Sequence, residues 1–149
     1  MGKRTFVFVV LALLVCLTVS TSFAGYYHYM YNDLRRKTRT KIIHINLGIN
    51  YGNGTIEWFN QTEARAGDAL LDVTTLVATV NYTPSIGGAA VDAINGLWKS
   101  GNYGWYWWMW TSWGWFEGPV ACDKYVVGDG ETLYWYYEDL SVYPPQQPP

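Results

Sequence analysis

Past residue 41 the chain alternates. In "IIHINLGIN", Ile43, Ile45, Leu47 and Ile49 fall on one side, and His44, Asn46, Gly48 and Asn50 on the other. A period of two is that of a half-buried strand. "YGNG" follows as a turn, where Asn53 and Gly54 suit the positive φ angles of a tight hairpin. "TIEWFNQT" is the returning strand, with Ile56 and Trp58 on one face. The period then lengthens. In "AGDALLDVTTLVATV", Leu70, Val73, Val77 and Val80 recur at helical spacing, with Leu76 beside them. Asp68 is placed to cap this helix, and Asp72 lies in its first turn, where the helix dipole favours a carboxylate. "AAVDAINGLW" predicts a strand closing at an Asn95–Gly96 turn. "KYVVGDGETLYWYYEDL" predicts a short strand, a turn over Gly128, Asp129 and Gly130, and a strand over 132–137.

A hairpin, one amphipathic helix and then several strands predict an α+β domain, with one helix crossing one face of a mixed sheet. A β-grasp (ubiquitin-like) arrangement is the natural form, preceded by an N-terminal hydrophobic helix. The expected organisation is a signal peptide or transmembrane anchor over 1–31, a basic juxtamembrane linker over 32–41, the domain over 42–140 and a Pro-rich tail over 141–149.

The aromatic content is concentrated. "GWYWWMWTSWGWFEGP", residues 104–119, holds six of the nine tryptophans. In a strand over 105–110, alternate side chains face opposite sides. Trp105, Trp107 and Met109 take one face; Tyr106, Trp108 and Trp110 take the other. A single helix covers one face of a sheet, so one set packs under it and the other looks outward. Trp113, Gly114 and Trp115 continue as hairpin tip and return strand. Three readings of the outward set stand side by side. It stacks with neighbours such as Trp135 and Tyr137 as a cross-strand cluster, it forms a contact surface, since exposed aromatic patches mark partners or ligands, or it inserts into a membrane, which the acidic domain disfavours.

The first segment differs in kind. Lys3 and Arg4 precede an apolar run from Phe6 to Val19, and Ser22-Phe23-Ala24 makes a small-x-small cleavage site, with Ser22 and Ala24 as its small residues. No charge occurs between Arg4 and Asp33, which leaves room for the ~20 residues of a spanning helix. Tyr26, Tyr27, Tyr29 and Tyr31 would form an interfacial belt. An uncleaved anchor is preferred. Orientation signals conflict. The basic cluster "RRKTRTK" would hold the domain inside by the positive-inside rule. Asn53, Asn60 and Asn81 each open an Asn-x-Thr sequon, which points to an exported, glycosylated surface. The expectation is the extracellular face of the cell membrane, anchored through the N-terminal helix or secreted.

Charge and chemistry narrow the function. After Lys41 three basic side chains remain against eleven acidic ones, a formal charge of −8. Such a domain repels phosphate backbones, so no nucleic acid partner is expected. Cys16 and Cys122 have no metal-ligand spacing, and Cys122 reads as a small buried residue. His44 reads as solvated. Asp129 in "GDGE" belongs to a turn that lacks the oxygens of a calcium cage. No Ser-His-Asp set, HExxH or phosphate loop occurs. The expectation is therefore no enzyme, no catalytic residue, no metal and no cofactor.

From about Ile42 to Leu140 the chain resembles the family catalogued as domain of unknown function 4430, the transcobalamin-like C-terminal group. The matching stretches are "INYGNGTIEWFNQT", "AGDALLDVT", "AINGL", "YWWMW" and "GPVACDKYVVGDGETLYWYYED". The resemblance implies a β-grasp fold and a secreted, non-enzymatic habit. In animal cobalamin carriers the related domain caps the bound vitamin beside a large helical domain, for which this chain has no room. Together these readings predict a cell-surface or secreted binding or assembly domain. Tyr106, Trp108, Trp110 and Trp113 are its candidate contacts to an envelope protein or a glycan. The alternative is a corrinoid-like small-molecule carrier or capping domain.

Overall fold

A computed structural model describes residues 2, 16–33, 41–142 and 147–148 of the chain. It divides into two units, Met1–Thr38 and Arg39–Pro149. In the first unit residues 16–33 form helix α1. Ser20, Thr21 and Ser22 turn their hydroxyls back onto carbonyls three or four residues earlier, which satisfies them within the helix. Among the described residues no helix is long and apolar enough to cross a membrane. The apolar run that carried the anchor expectation lies mostly outside the described residues, as do residues 34–40 of the basic linker and much of the Pro-rich tail.

The second unit is α+β. Strands β1 (Ile42–Asn50) and β2 (Ile56–Arg65) form the hairpin; α2 (Leu70–Val77) follows; then come β3 (Val80–Thr83), β4 (Ala90–Ile94), β5 (Leu97–Trp98), β6 (Tyr103–Thr111), β7 (Gly114–Glu117) and β8 (Thr132–Asp139). The main sheet runs β2-β1-β8-β6-β7, and a smaller one runs β3-β4-β5. The central pair β1 and β8 is parallel; every other pairing is antiparallel. The mixed sheet thus arises because the last strand inserts beside the first.

The alternation in β1 is realised. Ile43, Ile45, Leu47 and Ile49 are buried on the side facing α2, with Leu133 and Trp135 from β8 and Trp105 and Trp107 from β6. α2 contributes Leu70, Leu71, Val73 and Thr74 to this core. The Trp135 indole N–H donates to Thr74 Oγ1 at 2.9 Å, so this fully buried ring is satisfied within the fold. Cys122 is buried here too, and burial pushes its thiol up to about 11.

Several local expectations are corrected. α2 is shorter than its periodicity: it stops at Val77, Val80 opens β3, and Leu76 is exposed. Its N-cap is Ala69, not Asp68. Asp68 instead accepts the Arg65 N–H, and Asp72 accepts the Ala69 N–H. The turn before it uses the carboxylate that a cap would have used. In the β1–β2 loop the positive φ angles fall on Gly52 and Gly54, not on Asn53. Asn53 accepts the Thr55 N–H instead. "KYVV" forms no strand, only a bridge between Val126 and Ala69. The Asn95–Gly96 turn has positive φ at both residues, as a tight hairpin requires.

Candidate functional site

β6 is the pivot. Its register against β8 pairs Trp105 with Tyr137, Tyr106 with Tyr136, Trp107 with Trp135 and Trp108 with Tyr134. Paired residues share a face. Trp135 and Tyr137 therefore lie on the inner face with Trp105 and Trp107. The expectation that they would stack with the outward set is corrected: Tyr134 and Tyr136 occupy that place. One residue of register decides this, because neighbouring side chains in a strand point to opposite sides.

On the outer face, opposite α2, the rings form a chain. Trp58 of β2 meets Tyr134 at 5.4 Å between centroids, Tyr134 meets Trp115 at 5.0 Å, and Trp115 meets Trp110 at 5.1 Å. Gly48 of β1 makes the first contact possible. A Cβ there would lie 2.3 Å from the Tyr134 ring and 3.0 Å from Trp58. Without a side chain at Gly48, the tyrosine lies over the strand and touches an indole two strands away.

The four predicted contacts separate. Trp110 is 56 % exposed, and Trp113, at the tip of the β6–β7 hairpin, is 96 % exposed. Trp108 faces the predicted way yet is only 3 % exposed. Its ring lies beside that of Tyr106, and its N–H points along the strand to the buried carboxylate of Glu138 at 3.4 Å. Tyr106 is half-buried, and its hydroxyl donates to Glu117. On one half of the outer face Trp108 and Glu138 are thus buried, while the half carrying Trp110, Trp113 and Trp58 is open. Trp58, which is 45 % exposed, and Trp115 were missing from the sequence-based set. The hairpin register places Trp115 opposite Trp110, which is readable from the two-residue tip. Nothing short of the β1–β8 pairing brings Trp58 in.

The sequon asparagines Asn53, Asn60 and Asn81 are all exposed. Asn60 precedes Gln61, whose φ of 54° marks a bulge in β2 where the register slips between Ile45 and Leu47. His44 stands 4.0 Å from Glu63 at the surface. Asp129 accepts the His44 N–H and so closes a turn. Among the described residues no group of three His, Cys, Asp or Glu side chains could hold a metal ion.

A second concave feature lies beside β6. A cavity of about 580 Å3 is walled by Trp105, Trp107 and Trp135, by residues 89–91, and by residues 117–122. Both inner indoles there are hydrogen-bonded: Trp105 to the Leu97 carbonyl at 2.9 Å and Trp107 to that of Val120 at 3.0 Å. Gly118 packs flat on Trp107; a Cβ would come within 2.1 Å of the ring. Lys99 lines the rim and forms an ion pair with Asp92. The bond from its ammonium, followed by that of the Thr83 hydroxyl, holds the Asp92 carboxyl below the usual range.

Comparison with known proteins adds the fold. No family model matches the chain, and no curated protein matches it. Among solved structures, a provisionally assigned metal-binding protein of Ruminococcus gnavus ATCC 29149 is similar at 17% identity and a TM-score of 0.54, over 65% of this chain and 97% of that one. Haptocorrin in complex with Cbi is similar at 16% identity and a TM-score of 0.54, over 65% of this chain but only 25% of haptocorrin. At such identities the likeness is one of fold: this chain shares an α+β architecture with a module that makes up a quarter of haptocorrin.

Proposed function

We propose that this chain is a non-enzymatic binding or assembly domain, displayed on the outer face of the cell membrane or secreted, that engages its partner through the open half of its outer aromatic face. The observation that carries the reading is the Trp58–Tyr134–Trp115–Trp110 chain of rings with Trp113 beyond it. Large rings held at an exposed sheet surface lose little conformational freedom on binding and bring much contact area. Buried Tyr134 packs against Trp58 and Trp115 and holds that chain of rings in place. A glycan or an envelope protein is the partner class that flat rings with a polar N–H edge suit. We assign the domain to the β-grasp class on the β2-β1-β8-β6 order, with its parallel centre and α2 across one face. The tether is the N-terminal segment, and Asn53, Asn60 and Asn81 are the glycosylation sites of an exported surface.

The test is the double variant Trp110→Ser/Trp113→Ser, with Trp108 left alone because it is buried. Binding to a glycan array and to purified envelope proteins is expected to fall about tenfold or more while the thermal transition stays in place. Full binding by a folded double variant rejects the surface.

One observation favours a second reading, a small-molecule carrier. The cavity walled by tryptophans has a volume in the range typical of ligand sites, and the haptocorrin fold likeness comes from a complex with Cbi. Equilibrium dialysis against cobalamin separates the two. Retention at micromolar ligand that survives the double variant favours the carrier; no retention removes it.

A further inference from the structure

Burial changes abruptly along the outer side of β6. Trp108 is 3 % exposed, and Trp110, two residues on, is 56 % exposed. Glu138, on the same face as both, is buried like Trp108. Among the described residues no helix or strand crosses the sheet at this place. Neighbours within a sheet flank a ring without lying over it: Trp110 has Trp115 beside it and stays open. A buried carboxylate needs donors. Glu138 has the Trp108 N–H at 3.4 Å, and both Glu138 and Tyr106 have a further partner. At the far end of the chain Pro148 is buried, whereas Gln147 before it is exposed. A roof is missing over Trp108, and a buried proline lies in the segment that follows β8.

The chain turns as it leaves β8. The Val142 N–H donates to the Asp139 carbonyl at 3.3 Å, and Asp139 Oδ1 accepts the Ser141 N–H at 2.9 Å and its hydroxyl at 2.6 Å, which closes a reverse turn. Leu140 lies on the outer side. Its Cδ1 is 2.8 Å from where a Cβ on Gly104 would stand, and Gly104 pairs with Glu138. We propose that the C-terminal segment 143–149 runs back over the outer face as a polyproline II strand, with Pro148 seated on the Trp108 ring. The lengths agree. Six residues from Val142 to Pro148 span ~19 Å at ~3.1 Å each. Asn102 is level with Leu140, whose N–H it accepts, and the six residues from Asn102 to Trp108 span ~20 Å at ~3.4 Å each. The period agrees too. Polyproline II repeats every three residues, so Pro145 falls on the side of Pro148 and Gln147 falls off it, as its exposure requires. Pro145 then meets the Tyr106 ring, whose centroid is 6.1 Å from that of Trp108. Aromatic-lined grooves hold proline-rich segments in this way, because the extended form is already set before docking. The Tyr143 hydroxyl and the glutamine amides bring the donors that Glu138 needs.

The seat lies beside the open rings and does not depend on what they bind. The test is magnetic resonance of the full chain, read at the Trp108 indole and at Pro148. A nuclear Overhauser contact between the Pro148 ring and the Trp108 ring is expected. Ending the chain at Val142 speeds hydrogen exchange of the Trp108 indole N–H about tenfold or more, since the ring loses its cover, while the amides of β1 and β8 stay protected. Pro148→Asp in the full-length chain has the same effect, because the seat does not take a charge. Gln147→Asp, at the exposed position beside it, leaves the exchange unchanged. Pro148 contacts confined to other residues, equal Trp108 exchange with and without the segment, or Gln147→Asp acting as Pro148→Asp does would each overturn the proposal.

Discussion

The two faces of the main sheet are both aromatic, but they are built differently. On the inner face, Trp135 meets Thr74 of α2, Trp107 meets Val120 and Tyr125, and Trp105 meets Leu97 of β5, so each indole N–H has a partner inside the fold. On the outer face no described helix or strand crosses the rings of Trp58, Trp110 and Trp113. Trp58 leans on Tyr134, Trp110 leans on Trp115, and Trp113 stands clear at the hairpin tip. Tryptophan content therefore does not report burial. The inner rings are built into the core, whereas the outer rings Trp58, Trp110 and Trp113 keep about half or more of their area in solvent.

The sharpest way to break that contrast is to remove an inner ring. Trp135→Ala is expected to cost about 3–5 kcal/mol, because it leaves a large void and removes one of the two hydrogen bonds of Thr74 Oγ1, which keeps its bond to the Leu70 carbonyl; urea denaturation measures it. A cost below about 1 kcal/mol would mean the two faces are alike. Next is Gly48→Val, which drives a side chain into the Tyr134 ring. It is expected to cost about 1–3 kcal/mol by overpacking, and to change near-ultraviolet circular dichroism by separating Tyr134 from Trp58. Third is the inner thiol. Burial raises Cys122 from 9.0 to about 11. The unfolded chain loses this proton first as pH rises, so stability is full below pH 9 and falls between 9 and 11. The fall is on the order of 1 kcal/mol or more, and Cys122→Ala removes that component from the pH profile. The smallest effect belongs to the tip: Trp113→Ala should move stability by no more than about 0.5 kcal/mol. A larger loss would show that the exposed rings support the fold.

Much of this was legible in the sequence. The period of two in "IIHINLGIN" gave the buried face of β1, and alternation sorted the β6 aromatics into their two sets. Asn95 and Gly96 marked their hairpin through the positive φ that asparagine and glycine tolerate. The helix boundaries were not legible. Val80 keeps helical spacing by coincidence, and Asp68 has a nearer donor in the turn, so its carboxylate never reaches the helix. The site was half legible. Trp110 and Trp113 are exposed as the hairpin pattern implies, whereas Trp108 shares their face and is buried beside Tyr106 and Glu138.

By itself the sequence determined which residues alternate, where the chain must turn and that rings would occupy both sides of β6, because these follow from local stereochemistry and a two-residue period. Only the tertiary structure decided which set lies on the α2 side and that Trp58 joins the outer rings. Each of those depends on β8 settling between β1 and β6. That pairing joins segments more than eighty residues apart, and its one-residue register is set by the packing of the whole core rather than by any stretch of chain.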